Sequence, residues 1–320
     1  MYACFYDNLI HMNKVTVVGA GNVGATVAQY IAGKGLADIA LVDVIEGLPQ
    51  GKALDLLQAY ALSTSSCSIV GSNNYADTKN SDVVVITAGI ARKPGMSRDD
   101  LLKTNASIVQ GVVKETIAAS PSALFIVVTN PLDVMTYLAW KNSGLAPHQV
   151  IGMAGVLDSA RFATFIALEL GVAKEDVRAM VLGGHGDLMV PLPRFSTVNG
   201  IPITELLKQD RIDALCARTR DGGAEIVALL KSGSAFYAPG ASVCQMVEAI
   251  LKDKNQLLPC CVYAQGQYGL KDVYVGLPAV LNRKGVKEII ELKLNEAESA
   301  SLKRSATSIT ENVEAMNRLI

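Results

Sequence analysis

The segment Gly183-Gly184-His185-Gly186-Asp187 surrounds an imidazole with three glycines and a carboxylate, a run that exposes the ring instead of packing it. Histidine titrates near neutral pH, so a ring held at a cleft wall can both give and take a proton during a reaction. Alone, His185 reads first as a structural residue. Its company changes that reading, because Gly155-Val156-Leu157-Asp158-Ser159-Ala160-Arg161 stands upstream and supplies two further groups. Asp158 offers a carboxylate that orients the ring and favours its charged form. Arg161 offers a planar guanidinium, which holds an acidic substrate through two parallel charge-assisted bonds that lysine cannot match.

A second constellation suits phosphate. Gly19-Ala20-Gly21-Asn22-Val23-Gly24 directly follows a β-branched run and opens a helical stretch. In that setting Gly19 permits a tight turn, Gly21 lets a pyrophosphate approach the backbone, and Gly24 lets helix and strand pack closely, with the helix N-terminus facing the phosphates. The next strand ends at Asp43, where a carboxylate can bond both ribose hydroxyls and would repel a 2′-phosphate. The expected cofactor is therefore NAD and not NADP. Thr87-Ala88-Gly89 closes the apolar run Val83–Ile86 with little bulk, where ligands of doubly wound sheets lie. Asn130, in Thr129-Asn130-Pro131, ends the following strand and could bring an amide near the nicotinamide. Asn105 and Val128 complete the expected cofactor-binding set. The plainer alternatives are turn glycines, an Asp43 that caps a helix, and an Asn-Pro pair that punctuates a turn.

The elements that must position these groups are legible as alternating runs. Val15–Val18, Ile39–Val42, Val83–Ile86, Phe125–Val128 and Val150–Met153 are continuous apolar stretches, as in strands buried on both faces. Between them Val23–Ile31, Gly51–Ala61, Leu101–Ala119 and Val134–Lys141 carry helical spacing. The predicted class is α/β, a Rossmann-type doubly wound parallel sheet followed by a mixed α+β substrate domain. Its divisions are residues 12–153 for NAD and 154–320 for substrate and catalysis. In the second half the pattern predicts helices over Ala160–Leu170, Arg211–Leu230 and Ser242–Lys252, and strands over Val177–Leu182, Leu257–Ala264 and Asp272–Leu281. Glu296–Leu319 has amphipathic spacing without proline or glycine, as expected of a helix lying across both halves.

Composition narrows the partners. A net charge of −1 leaves no basic field for nucleic acid or an anionic membrane surface, and no stretch approaches the roughly 18 apolar residues of a membrane span. The six cysteines show neither CxxC pairing nor a His/Cys cluster, so no metal site is expected. Cys260-Cys261 reads as part of a buried strand. Residues 1–11 lack both the basic start and the long apolar region of a secretory signal, and are expected to be a disordered or non-native extension.

Taken in order, Gly19–Gly24, Ala91-Arg92-Lys93-Pro94-Gly95-Met96-Ser97-Arg98, Thr129-Asn130-Pro131, Leu157–Arg161 and Gly183–Asp187 resemble the NAD-dependent lactate/malate dehydrogenase family. Within it they are similar to the malate dehydrogenases of lactate-dehydrogenase-like type. The resemblance implies that Asp158 and His185 form a proton relay, that Arg161 binds the substrate carboxylate, and that Arg98 polarises its carbonyl. It puts Arg92 at the discriminating position, where an arginine partners a second carboxylate and pyruvate would leave that cation unpaired. Ala235, in Ser234-Ala235-Phe236-Tyr237, is implied more weakly as part of the substrate wall. The implied reaction is reversible oxidation of (S)-malate to oxaloacetate with NAD. The implied setting is a cytoplasmic homo-oligomer, a tetramer before a dimer, serving the tricarboxylic acid cycle. L-lactate dehydrogenase is the neighbouring alternative. From other classes, an NAD-dependent glycosidase or a non-enzymatic NAD-binding module would share the nucleotide fold, but three arginines with an Asp-His pair suit small acids better than sugars.

Overall fold

The computed structural model describes residues 12–63, 65–91 and 95–320, so the segment 1–11 and Arg92 lie outside the described residues. The first half alternates strand and helix: β1 (Lys14–Val18), α1 (Asn22–Gly33), β2 (Asp38–Val42), α2 (Leu48–Tyr60), β3 (Ile69–Ser72), β4 (Val83–Ile86), α3 (Arg98–Ala119), β5 (Leu124–Val127), α4 (Leu132–Ser143) and β6 (Val150–Gly152). These strands pair in parallel in the order β3-β2-β1-β4-β5-β6. Every residue of β4 is buried, so the strand has no face to give to water and needs helices on both sides. The chain turns back on itself between β1 and β4. That reversal opens a crevice at the carboxyl ends of the strands.

The second half contains α5 (Gly155–Leu170), the short strands β7 (Val177–Arg178), β8 (Val181–Leu182), β9 (Val190–Pro191), β10 (Thr197–Val198) and β11 (Ile201–Pro202), then α6 (Ile203–Leu206), α7 (Gln209–Leu230), α8 (Tyr237–Leu251), β12 (Gln256–Gln265), β13 (Lys271–Asn282), β14 (Gly285–Ile289) and α9 (Glu296–Leu319). The strand expected over Val177–Leu182 is in fact two. β7 pairs with β10 and β8 with β9, because the Met180 amide between them donates to Ser196 Oγ at 3.2 Å and interrupts the ladder.

β12 pairs antiparallel with β6 and carries β13 and β14, so one nine-stranded sheet runs through both halves. Cys260 and Cys261 are fully buried in β12. α9 packs on α3 and α4 and also on β13, as its apolar stripe predicts. Lys34 Nζ at the end of α1 meets Glu248 Oε2 of α8 at 2.6 Å, a polar tie between the first helix and the second half. Among the described residues no helix is long and apolar enough to cross a membrane.

Candidate active site

α5 starts just beyond β6, with Asp158 in its first turn and Arg161 three residues on, so both side chains share one face. Arg161 Nη1 donates to Asp158 Oδ1 at 3.0 Å, and His185 Nδ1 lies 2.9 Å from Asp158 Oδ2. One carboxylate thus serves both groups. The Asp158 side chain is 2% exposed and that of His185 15%, so the carboxylate is shut off from water while the ring can still be reached. With its Nδ1–H given to Asp158, the ring presents Nε2 to the cavity. Burial opposes the imidazolium, but the charge and hydrogen bond of Asp158, helped by the charge of Asp133, outweigh it and raise His185 above the ordinary histidine value. Arg161 Nε is buried without a hydrogen-bond partner among the described residues, a donor left over for an anion.

A cavity of about 400 Å³ opens in front of His185. Val23, Val128 and Asn130 from the first half face Arg161, Arg220 and Ala235 from the second. Arg98 does not line this space. It is exposed at the first position of α3, where Ser97 Oγ accepts from the Asp100 amide at 3.0 Å and Asp100 Oδ2 accepts from the Ser97 amide at 3.2 Å. From there Arg98 lines an adjoining cavity of about 370 Å³ with Asp133 and Ser305. Leu132, His185, Gly186 and Asp187 border both spaces, so the histidine loop is the partition between them. A larger cavity of about 590 Å³, near Asp82, His148 and Arg283, lies away from these groups. Arg220 and Asp221 of α7 line the cavity before His185 and escaped the sequence reading, since they resemble any solvated helical charges.

The loop itself is held from behind. Its Gly184 amide donates to Ser305 Oγ at 2.8 Å and its His185 amide to Asp133 Oδ2 at 2.9 Å. Burial pushes the Asp133 carboxyl upward, against the pull of that amide, and its Oδ1 has no partner among the described residues.

The residues at the switch point fit a dinucleotide. Gly19 has φ of 105°, and a Cβ at Gly24 would stand 1.8 Å from the Gly19 carbonyl oxygen, so the turn and the close packing of α1 both require glycine. Gly21 faces open space, leaving room for a pyrophosphate over the start of α1, where Asn22 is exposed. Asp43 Oδ2 accepts from the Ala20 amide at 2.6 Å and Oδ1 from the Ile45 amide at 3.0 Å. A carboxylate retains acceptor capacity beyond these two bonds for ribose hydroxyls. Thr87 Oγ1 donates to the carbonyl oxygens of Val18 and Gly19 and so braces the glycine turn, with Ala88 and Gly89 following it at the crevice. Asn105 is 1% exposed and bonds the backbones of Ile90 and Asn130, which puts it one layer behind the crevice.

The sequence profile of the lactate/malate dehydrogenase NAD binding domain matches residues 13–152, and that of the family's alpha/beta C-terminal domain matches residues 155–319. The chain belongs to the lactate/malate dehydrogenase family. It carries the family's NAD binding domain, in the order of strands that the crevice requires. A malate dehydrogenase of Trichormus variabilis is 59% identical over 306 residues, covering 96% of this chain and 94% of that protein. Among solved structures, the malate dehydrogenase of Salinibacter ruber has a TM-score of 0.92 at 48% identity, covering 96% of this chain and 98% of the other. A lactate dehydrogenase of Cryptosporidium parvum, complexed with lactic acid and nicotinamide adenine dinucleotide, has a TM-score of 0.93 at 40% identity, covering 97% and 99%. Fold alone therefore does not separate the two chemistries within the family.

Proposed function

We propose that this protein is an NAD-dependent malate dehydrogenase that interconverts (S)-malate and oxaloacetate. The observation that carries the reading is the Asp158-centred pair of bonds, 2.9 Å to His185 and 3.0 Å to Arg161, at the wall of a cavity that opens on the cofactor crevice. Bound NAD supplies the hydride acceptor. His185 takes the substrate hydroxyl proton on Nε2 and returns it in the reverse direction, while Asp158 fixes the ring and stabilises the imidazolium. Arg161 binds the carboxylate next to the reacting carbon. Arg98 is assigned to negative charge on the carbonyl oxygen, a role that requires its side chain to leave the adjoining cavity for the one before His185, and Arg92 pairs with the second carboxylate. Asn130 orients the nicotinamide end, Ala235 leaves room on the substrate wall, and Gly19, Gly21, Asn22, Val23, Gly24, Asp43, Thr87, Ala88, Gly89 and Val128 form the cofactor side, with Asn105 bracing Ile90 and Asn130 from behind. Residues 12–153 are the cofactor-binding unit and 154–320 the substrate unit in this reading, in line with the two profile matches.

The experiment is an assay of NADH oxidation with oxaloacetate and with pyruvate, on the parent and on Arg92→Gln. Oxaloacetate is expected to be preferred, and Arg92→Gln to lose roughly 100-fold in kcat/KM for oxaloacetate, the scale of an unpaired charge in a poorly hydrated site. The Michaelis constant for NADH should stay within about twofold. Comparable turnover of both acids by the parent would overturn the malate assignment.

We also propose a cytoplasmic homotetramer working in the tricarboxylic acid cycle. Cys67, Cys216, Cys244, Cys260 and Cys261 are free and buried, in keeping with a reducing compartment. Leu54, Leu168 and Leu229 are 56%, 62% and 75% exposed, in keeping with faces covered by other copies of the chain.

A further inference from the structure

Three consecutive residues of the histidine loop are held by three elements far apart in the chain. Gly183 exchanges both backbone hydrogen bonds with Gly276 of β13, its amide donating to the Gly276 carbonyl at 2.9 Å and its carbonyl accepting from the Gly276 amide at 3.1 Å. The Gly184 amide donates to Ser305 Oγ of α9 at 2.8 Å, and the His185 amide to Asp133 Oδ2 of α4 at 2.9 Å. Ser305 is 1% exposed and Asp133 6%, so both acceptors are largely shielded from bulk water. The approach demands glycine at Gly276, where a Cβ would lie 2.3 Å from the Gly183 carbonyl oxygen, and is tight at Gly184, where one would lie 3.1 Å from Ile309 Cδ1 and 3.3 Å from Asp133 Oδ2.

A backbone fixed at three successive points has no freedom to raise, lower or tilt the side chain it bears. We infer that Ser305 and Asp133 are positioning residues for His185, a two-point clamp on adjacent amides that, with the Gly276 bridge, sets where the imidazole stands relative to substrate. Asp158 orients the ring about its own axis; the clamp fixes the Cα from which the ring projects. The inference rests on the reading of His185 as the proton donor and acceptor.

The two residues differ in charge, which makes their contributions separable. Ser305 is neutral, whereas Asp133 joins Asp158 and Arg161 of α5, Arg98 of α3, Asp187 of the loop, and Arg220 and Asp221 of α7 as the ionic groups facing the two cavities around the ring. Ser305→Ala removes an acceptor and no charge. Its kcat for oxaloacetate reduction is expected to fall about tenfold, since small misplacements at a reacting centre cost that much or more, with the Michaelis constant for NADH within about twofold and the alkaline limb of the pH profile unmoved. Asp133→Ala removes the acceptor of the His185 amide. Its kcat is expected to fall at least about as far as that of Ser305→Ala, and its His185 ring signal to shift. The chain has three histidines, so the His185 ring signal can be followed by NMR in both variants, and a displaced ring shifts that signal whether or not activity is measured. Folded Ser305→Ala protein with kcat within about twofold of the parent and an unshifted His185 signal would overturn the clamp, as would the same result for folded Asp133→Ala. His185→Asn serves as the control: parental turnover in that variant defeats the functional reading itself, whereas its inactivity beside two parent-like clamp variants defeats only the inference made here.

Discussion

A single buried carboxylate with two cationic neighbours defines the chemistry at the scale of residues. Asp158 spends one oxygen on Arg161 and the other on His185, and its own side chain is 2% exposed, so both interactions act with little screening. The consequence for His185 is a raised pKa, despite burial, because the charge and hydrogen bond of Asp158 stabilise the protonated ring. The sign for catalysis follows directly. Oxaloacetate reduction needs the imidazolium and should decline as pH rises through this raised value, while malate oxidation needs the neutral ring and should increase over the same interval. Asp158→Asn is expected to shift both limbs to lower pH and to cut kcat by roughly 100-fold, the scale of positioned acid-base groups. Stopped-flow rates between pH 5 and about 10 measure this, and limbs that stay put in the variant would detach the carboxylate from the ring's titration.

At the scale of elements, the joint between α1 and α8 carries a charge cluster of its own. Glu248 accepts from Lys34 at 2.6 Å, Lys254 at 2.7 Å and Lys252 at 3.2 Å, and these bonds, led by that of Lys254, lower its pKa to about 2. A carboxyl depressed in the folded state adds stability above its unfolded value near 4.5 and loses it as pH falls towards about 2. The lysines are half exposed, so screening limits the worth of the cluster to about 0.5–1 kcal/mol. Glu248→Gln should therefore be less stable than the parent by that amount at pH 7 and nearly equal to it at about pH 2. Urea unfolding at the two values is the measurement; an equal deficit at both would assign the effect to packing and not to charge.

The elements were legible where a single period ran through them. The apolar runs around β1, β2, β4, β5 and β6 and the amphipathic stripe of α9 predict their positions to within a few residues, because burial on two faces or one stripe leaves an unmistakable pattern. β3 went unassigned because it is four residues long and its burial follows no regular alternation. The strand over Val177–Leu182 could not be divided in advance, since the Ser196 hydroxyl that interrupts it comes from outside the run. The same reason hid part of the site. Gly19–Gly24, Asp158, Arg161 and His185 announce themselves through local motifs. Ser305 sits 121 residues from the amide it holds, and Asp133 looks like any acidic residue in the first turn of a helix until its burial is known.

Across the whole molecule, the exposed leucines are the residues that the proposed tetramer would cover. Leu54, Leu168 and Leu229 lie on α2, α5 and α7, and their solvation is unfavourable at roughly 25 cal/mol for each Å² of apolar area. Sedimentation velocity should give a tetramer at micromolar concentration, and a monomer there would remove the reason for expecting copies to cover these faces. The nine-stranded sheet has a further implication. Because β12 continues from the edge of β6, the cofactor crevice and the histidine loop are welded to a common slab, with β13 gripping Gly183 directly. Two halves that share a sheet are expected to swing little against each other when ligands bind.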